Sequence, residues 1–220
     1  MNTASRGSER RGSCGFTLVE VTLSACLTAA LLGTAAMLTR TAMGMFRLRS
    51  SEEEASMRVH RALRSIALEF AGAARSELLP DPVLPDGASV LGYRRVVGYA
   101  GGVQRMGDAL QVGFEYESGE LDDGLDNNGN GLVDEGVVVW IESPGTQGEQ
   151  RVVKCRGVRE FAPGEIQNGA DDDGNGVRDD RGLSFWISGD LLSVALTVEE
   201  VGPGGIVLEK SARTSVHIRN

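Results

Sequence analysis

A long apolar segment with a single acidic residue limits the folds open to this chain. Residues 16–38 contain no charged side chain except Glu20, and they follow a short leader that carries Arg6, Arg10 and Arg11. As a helix, this segment spans about 35 Å, which is enough to cross a bilayer core of roughly 30 Å. A carboxylate inside a membrane helix costs about 2.5 kcal/mol or more, so we interpret Glu20 as a functional residue.

The residues before the apolar segment do not have the order of a secretory signal. In such a signal the apolar region precedes the cleavage site and is removed with the leader. Here Gly15 precedes the apolar region, so a cut after Gly15 would leave the apolar helix on the mature chain. The alternative is an ordinary single-pass anchor in which the Glu20 side chain reaches the membrane interface.

The hexapeptide Gly15-Phe16-Thr17-Leu18-Val19-Glu20 resembles the processing site of type IV prepilins and type II secretion pseudopilins. This resemblance implies that a membrane prepilin peptidase cuts between Gly15 and Phe16 and methylates the new amino terminus. It also implies a cytoplasmic leader, a single pass through the inner membrane and a periplasmic carboxy-terminal domain. Glu20 would then pair with the methylated amine of Phe16 in a neighbouring subunit and align subunits during fibre assembly.

The remaining pattern predicts an α+β fold in which a long amino-terminal helix packs on an antiparallel sheet, as in pilins. Four apolar residues recur at helical spacing: Val59, Leu63, Ile66 and Phe70. No proline occurs between residues 16 and 79, and Pro80 is the first of three that end the helix. We predict a leader at 1–15, a transmembrane or fibre stem at 16–39, an amphipathic helical part at 40–79 and a β-rich head at 80–220.

Seven segments of the head are rich in β-branched and aromatic residues and are separated by glycine-rich turns. The predicted strands are 90–99, 109–117, 137–142, 151–156, 183–188, 192–199 and 206–218. Because no helical pattern lies between them, we expect antiparallel pairing. The amphipathic helix would cover one face of the resulting sheet.

Two acidic loops, at 120–136 and 165–181, repeat one pattern 45 residues apart. Each places oxygen-bearing side chains at alternating positions before a glycine, as calcium-binding loops of the EF-hand type do. The candidate ligands of the first loop are Asp126, Asn128, Asn130, the Leu132 carbonyl, Asp134 and Glu135. Those of the second loop are Asp171, Asp173, Asn175, the Val177 carbonyl, Asp179 and Asp180, with Asp123 and Asn168 as further candidates before the loops.

The loops depart from an EF-hand at position twelve, which is Val137 in one loop and Gly182 in the other instead of a bidentate glutamate. No flanking helices are predicted either. The loops resemble instead the calcium loops of bacterial surface proteins, with the pattern Asp-Gly-x-Asn-Gly-x-x-Asp-Glu. Glu135 and Asp180 would then take the place of the missing glutamate.

The distribution of charge favours a bound cation in these loops. Removing the leader, with its three arginines and one glutamate, would shift the net charge from −9 to −11. Residues 120–135 and 165–180 hold six acidic side chains each, with Arg178 as the only base, and so account for that excess. Calcium suits such oxygen donors better than magnesium, zinc or copper. The alternative is a pair of solvated Asn/Asp/Gly turns.

Other functional classes find little support in the sequence. The acidic balance argues against a nucleic-acid partner, because phosphate binding requires a basic face. His60 and His217 have no nucleophile in a recognisable motif, so no enzyme is expected. Cys155 lies in an alternating apolar segment typical of burial, and Cys14 and Cys26 precede the head, so no disulfide within the head is expected.

We therefore expect a structural minor pilin or pseudopilin subunit that binds calcium. Its partners would be prepilin peptidase, the inner membrane and other minor and major pilins or pseudopilins. The closing pattern of a strand, a glycine-rich turn and a final strand resembles J-type pseudopilins of type II secretion and PilW-type minor pilins, which implies a place at the tip or initiation of a pseudopilus or type IV pilus. The alternative is a calcium-dependent adhesin that uses the stem only as an anchor.

Overall fold

A computed structural model describes residues 15–218, so the predicted leader lies outside the described residues except for Gly15. Helix α1 spans Leu18–Phe70, and a short 3₁₀ helix spans Arg75–Glu77. The strands are β1 (Val90–Ala100), β2 (Val103–Tyr116), β3 (Gly136–Glu142), β4 (Gln150–Val158), β5 (Leu183–Ser188), β6 (Leu191–Val201) and β7 (Val207–His217). A long amino-terminal helix followed by a seven-stranded sheet confirms the predicted α+β class.

All seven predicted strands are present, and most of their ends differ from the prediction by one or two residues. The largest difference is in β2, which begins at Val103 instead of residue 109. Gly101 and Gly102 both have positive φ, at 61° and 83°, and form a tight turn that returns the chain directly onto β1. Two-residue turns of this kind favour glycine because both central residues need the left-handed region.

The strands form one antiparallel sheet in the order β1-β2-β3-β4-β6-β5, and β7 pairs with the remaining edge of β6. The contact between β4 and β6 is short. Only Val158 and Val198 pair in register there, and the Arg159 amide donates a hydrogen bond to the Thr197 carbonyl nearby. The four-stranded part β1–β4 and the three-stranded part β5–β7 therefore meet at a narrow junction.

The carboxy-terminal part of α1 supplies one layer of the core. Its buried residues recur at spacings of three and four: Ala55, Val59, Ala62, Leu63, Ile66 and Phe70. The Phe70 ring lies 4.6 Å from the Tyr93 ring and 5.7 Å from the Phe185 ring, between centroids. The burial of this stripe against both parts of the sheet confirms the predicted amphipathic helix.

The amino-terminal part of α1 is apolar and exposed. By length and composition, the helix contains a stretch that could cross a membrane, and none of that stretch is buried. The chain divides between Phe46 and Arg47 into two compact units, and the core of the sheet belongs entirely to the second. This stretch could be a membrane anchor, as predicted for the stem; helices of soluble proteins can have the same length and composition.

Helix α1 ends at Phe70, so the prediction that it continues to residue 79 is wrong. The chain after Phe70 pairs with the edge of β1 instead: the Val96 amide donates to the Gly72 carbonyl, and Leu79 and Gly92 exchange hydrogen bonds of 2.9 and 2.7 Å. Backbone groups at a helix end require other partners, and β1 supplies them here. The absence of proline before residue 80 therefore does not determine where the helix ends.

We expect the Phe70→Ala variant to lose about 3–5 kcal/mol of unfolding free energy, because removal of a buried aromatic ring leaves a cavity between helix and sheet. Leu68 is 68% exposed on the same helix, so Leu68→Ala should change stability by no more than about 0.5 kcal/mol. Chemical denaturation of the full-length chain in detergent, followed by tryptophan fluorescence, measures both. Equal losses for the two variants would contradict the packing described.

Candidate metal centre

Each acidic loop closes around an aspartate that accepts hydrogen bonds from the loop's own backbone. The Asp171 carboxylate accepts the amides of residues 174–176, and the Asp126 carboxylate accepts those of residues 129–131. Asparagine and aspartate side chains commonly order tight turns in this way. These two predicted ligands therefore hold the shape of the loops.

A second aspartate ties the end of each loop to the turn that precedes it. Asp179 accepts the backbone amides of Asn168 and Gly169, and Asp134 accepts those of residues 123 and 124. Both aspartates have positive φ, at 45° and 50°. Aspartate tolerates the left-handed region better than most residues, which explains its occurrence at these two positions.

Leu132 and Val177 anchor the loops in the interior. Both side chains are buried, and each backbone amide donates to the side chain of the asparagine two residues earlier. A side chain at Gly87 would lie 2.7 Å from Val177, so the segment around Gly87 packs closely on the second loop. Burial of Leu132 and Val177 thus fixes each loop relative to the sheet.

Three carboxylates converge in the second loop. One oxygen from each of Glu165, Asp173 and Asp180 lies within 4.8 Å of the others. Glu165 is 5% exposed and Asp180 is 3% exposed, whereas Asp173 lies at the surface. Carboxylates at this separation could hold a metal ion. The EF-hand-like spacing identifies Asp173 and Asp180 but misses Glu165, the first residue of the loop.

Two oxygens of this cluster are buried without a hydrogen-bond partner: Glu165 Oε2 and Asp180 Oδ1. The other oxygen of each residue is occupied. Glu165 Oε1 accepts the amides of Asp172 and Asp173 at 2.8 Å, and Asp180 Oδ2 accepts the Asn175 side-chain amide at 3.1 Å. A buried polar atom without a partner is costly, and a cation bound between these oxygens would remove that cost.

The electrostatics of the cluster are those of carboxylates without a counter-ion. Burial raises the pKa of Asp180 to about 6; the hydrogen bond from Asn175 opposes this shift, and the charges of Asp173 and Glu165 add to it. Within residues 15–218, no arginine or lysine forms an ion pair with Glu165, Asp173 or Asp180. A bound cation would supply the positive charge that the basic side chains of this part of the chain do not place at the cluster.

No protein-family model, curated protein or solved structure matches this chain. The kind of metal ion that the second loop could bind is therefore inferred from its donor atoms, which are carboxylate and amide oxygens. Such donors favour hard divalent cations over zinc or copper, which prefer nitrogen and sulfur. Cys155, the cysteine of the head, is buried elsewhere, and burial raises the pKa of its thiol to about 11.

The other predicted functional residues lie at the start of α1. Gly15, Phe16 and Glu20 are exposed. The Thr17 amide and hydroxyl both donate to Glu20 Oε2 at 2.9 Å, and the Glu20 amide donates to the Thr17 hydroxyl at 3.2 Å. This reciprocal pair is a capping box, which satisfies amides that the first helical turn leaves free. The pattern Thr-x-x-Glu at residues 17–20 is the sequence signal for this cap.

Proposed function

We propose that the protein is a structural minor pilin or pseudopilin subunit, anchored in the inner membrane with a periplasmic head that calcium stabilises. The main support for the proposal is the contrast between the two parts of α1. Its amino-terminal part exposes an apolar surface of membrane length, whereas residues 55–70 bury one face against the sheet. An exposed apolar surface of this extent requires a cover, which is lipid before assembly and neighbouring stems in a pseudopilus or pilus.

The surroundings of Gly15 support processing by prepilin peptidase. Among residues 15–218, no atom lies within 4 Å of a Cβ atom added at Gly15, and α1 begins only at Leu18. The peptide bond between Gly15 and Phe16 therefore lies in an exposed, non-helical segment that a peptidase can reach. Cleavage there keeps the Thr17 amide as a peptide nitrogen, so the capping box with Glu20 persists in the mature chain.

Glu20 has the capacity for a second role besides the cap. Both hydrogen bonds from Thr17 are accepted by Oε2, and an ionised carboxylate can accept further bonds at its other oxygen. In the proposed fibre, that oxygen pairs with the methylated amine of Phe16 from the next subunit. The cap orients the carboxylate, and the ion pair neutralises it within the apolar environment of the stems.

We expect a Glu20→Leu variant to be cut after Gly15 and retained in the membrane, but to enter fibres poorly. The cut depends on the exposed segment and retention on apolar length, whereas assembly depends on the charge. Sequencing the mature amino terminus and quantifying the subunit in sheared fibres measure these properties. Glu20→Gln is the matched variant, because glutamine can keep the cap without the charge. Wild-type incorporation of both variants would contradict the proposal.

Calcium is the cation that best suits the second loop. It accepts six to eight oxygens in a flexible arrangement, whereas magnesium requires a near-ideal octahedron and keeps much of its water. Glu165, Asp173 and Asp180 supply three carboxylates whose oxygens lie within 4.8 Å of one another. A dissociation constant of about 10⁻⁴–10⁻³ M, as in extracellular modules, is expected.

Calcium should raise the melting temperature of the full-length chain in detergent, because the ion binds the folded loop and not the unfolded chain. At ten times the dissociation constant the gain is about 1.4 kcal/mol, or a few degrees. Asp180→Asn should abolish most of this shift. The matched control is Asp190→Asn, an exposed carboxylate in the turn between β5 and β6. A melting temperature that does not respond to millimolar calcium would exclude the proposed ion.

A further inference from the structure

We propose that the first acidic loop is a second and weaker calcium site, held by Glu120 and Glu135. This inference rests on the proposed function, because it takes the ion of the second loop to be calcium. Neither glutamate belongs to the three-carboxylate cluster described above. The sequence pattern indicates Glu135 as a replacement ligand and does not indicate Glu120.

The contacts of the first loop repeat those of the second at an interval of 45 residues. Glu120 Oε1 accepts the Asn128 amide at 2.8 Å, just as Glu165 Oε1 accepts the amide at the equivalent position. The equivalent pairs are Glu120 and Glu165, Asn128 and Asp173, Asn130 and Asn175, and Glu135 and Asp180. The first loop thus holds its glutamates in the same positions as the acidic residues of the cluster.

An unpartnered buried oxygen points to a ligand in this loop as well. Glu135 is 0% exposed, and its Oε2 has no hydrogen-bond partner. Its Oε1 accepts the side-chain amides of Asn128 and Asn130, so the carboxylate faces the interior of the loop. In the described part of the chain, neither Glu120 nor Glu135 has an ion pair with a basic side chain. A cation bound at Oε2 would give this oxygen a partner and balance the buried charge.

Among the four equivalent pairs named above, the two loops differ by one charge. Asn128 stands where the second loop has Asp173, so the first site offers two carboxylates and the second offers three. The Asn128 amide also donates to Glu135 at 2.8 Å, and an ion must displace this hydrogen bond before the Asn128 carbonyl oxygen can face it. Calcium affinity follows the number of charged ligands, so the first site is the weaker one.

The two ions would stabilise different parts of the sheet. The first loop joins β2 to β3 and packs on the end of β6, where a side chain at Gly131 would lie 3.0 Å from Val201. That contact lies close to the narrow junction of β4 and β6. The second loop joins β4 to β5, and its Arg178 amide donates to the Pro85 carbonyl in the segment before β1. Filling the first site therefore stabilises the junction, and filling the second stabilises the contact with that segment.

Calorimetric titration of the chelator-treated, full-length chain in detergent with calcium tests the inference. We expect two sites of unequal affinity in the wild type and in the Asp190→Asn control. Glu135→Gln should remove the weaker site, and Asp180→Asn should remove the tighter one. A single wild-type site that Glu135→Gln leaves unchanged would overturn this inference while calcium in the second loop stands. Absence of any calcium binding would overturn both.

A variant that is expected to gain calcium affinity provides a second test. This test does not depend on whether the protein folds with a substitution at a buried residue. Asn128 is exposed, and Asn128→Asp gives the first loop the same carboxylate as the second. We expect the weaker dissociation constant to fall by about tenfold or more, since a further charged ligand approaches the ion. An unchanged weaker constant in this variant would contradict a site in the first loop.

Discussion

Buried carboxylates without basic partners determine the energetics of the head. Glu135, Glu165 and Asp180 each keep one buried oxygen that has no hydrogen-bond partner. Other acidic residues near the loops are paired, as Glu160 is with Arg181 and Glu199 is with Arg159. The loops hold their unpaired carboxylates in place through hydrogen bonds from their own backbone. The head therefore presents preformed anionic clusters, and the cluster of the second loop could hold a metal ion.

The two parts of helix α1 differ in burial. Its carboxy-terminal part completes the core, with Phe70 packed against aromatic rings from β1 and β5. Its amino-terminal part leaves an apolar surface without a cover. The core of the head is complete within the chain, whereas the apolar surface of the stem requires a cover, which the proposed membrane and fibre would supply. The capping box of Thr17 and Glu20 satisfies amides of the first helical turn within the chain itself.

Local patterns in the sequence predicted the strands, because alternating β-branched residues correspond directly to buried and exposed faces. They did not predict the end of α1, which depends on hydrogen bonds to β1 made by residues distant in sequence. The EF-hand-like spacing within the second loop indicated Asp173 and Asp180, whereas Glu165, like its equivalent Glu120 in the first loop, lies at the start of its loop before that spacing begins. Folding of the intervening turn brings each glutamate back towards the later loop residues, so the EF-hand-like spacing does not identify them.

Anomalous diffraction from crystals grown with calcium tests directly whether the second loop binds the ion. Data collected at long wavelength should show an anomalous peak about 2.3–2.6 Å from oxygens of Glu165, Asp173 and Asp180. The unpartnered oxygens Glu165 Oε2 and Asp180 Oδ1 should be among its ligands. Ordered loops without a peak, with these oxygens bound to water or to a basic side chain, would contradict a head stabilised by calcium.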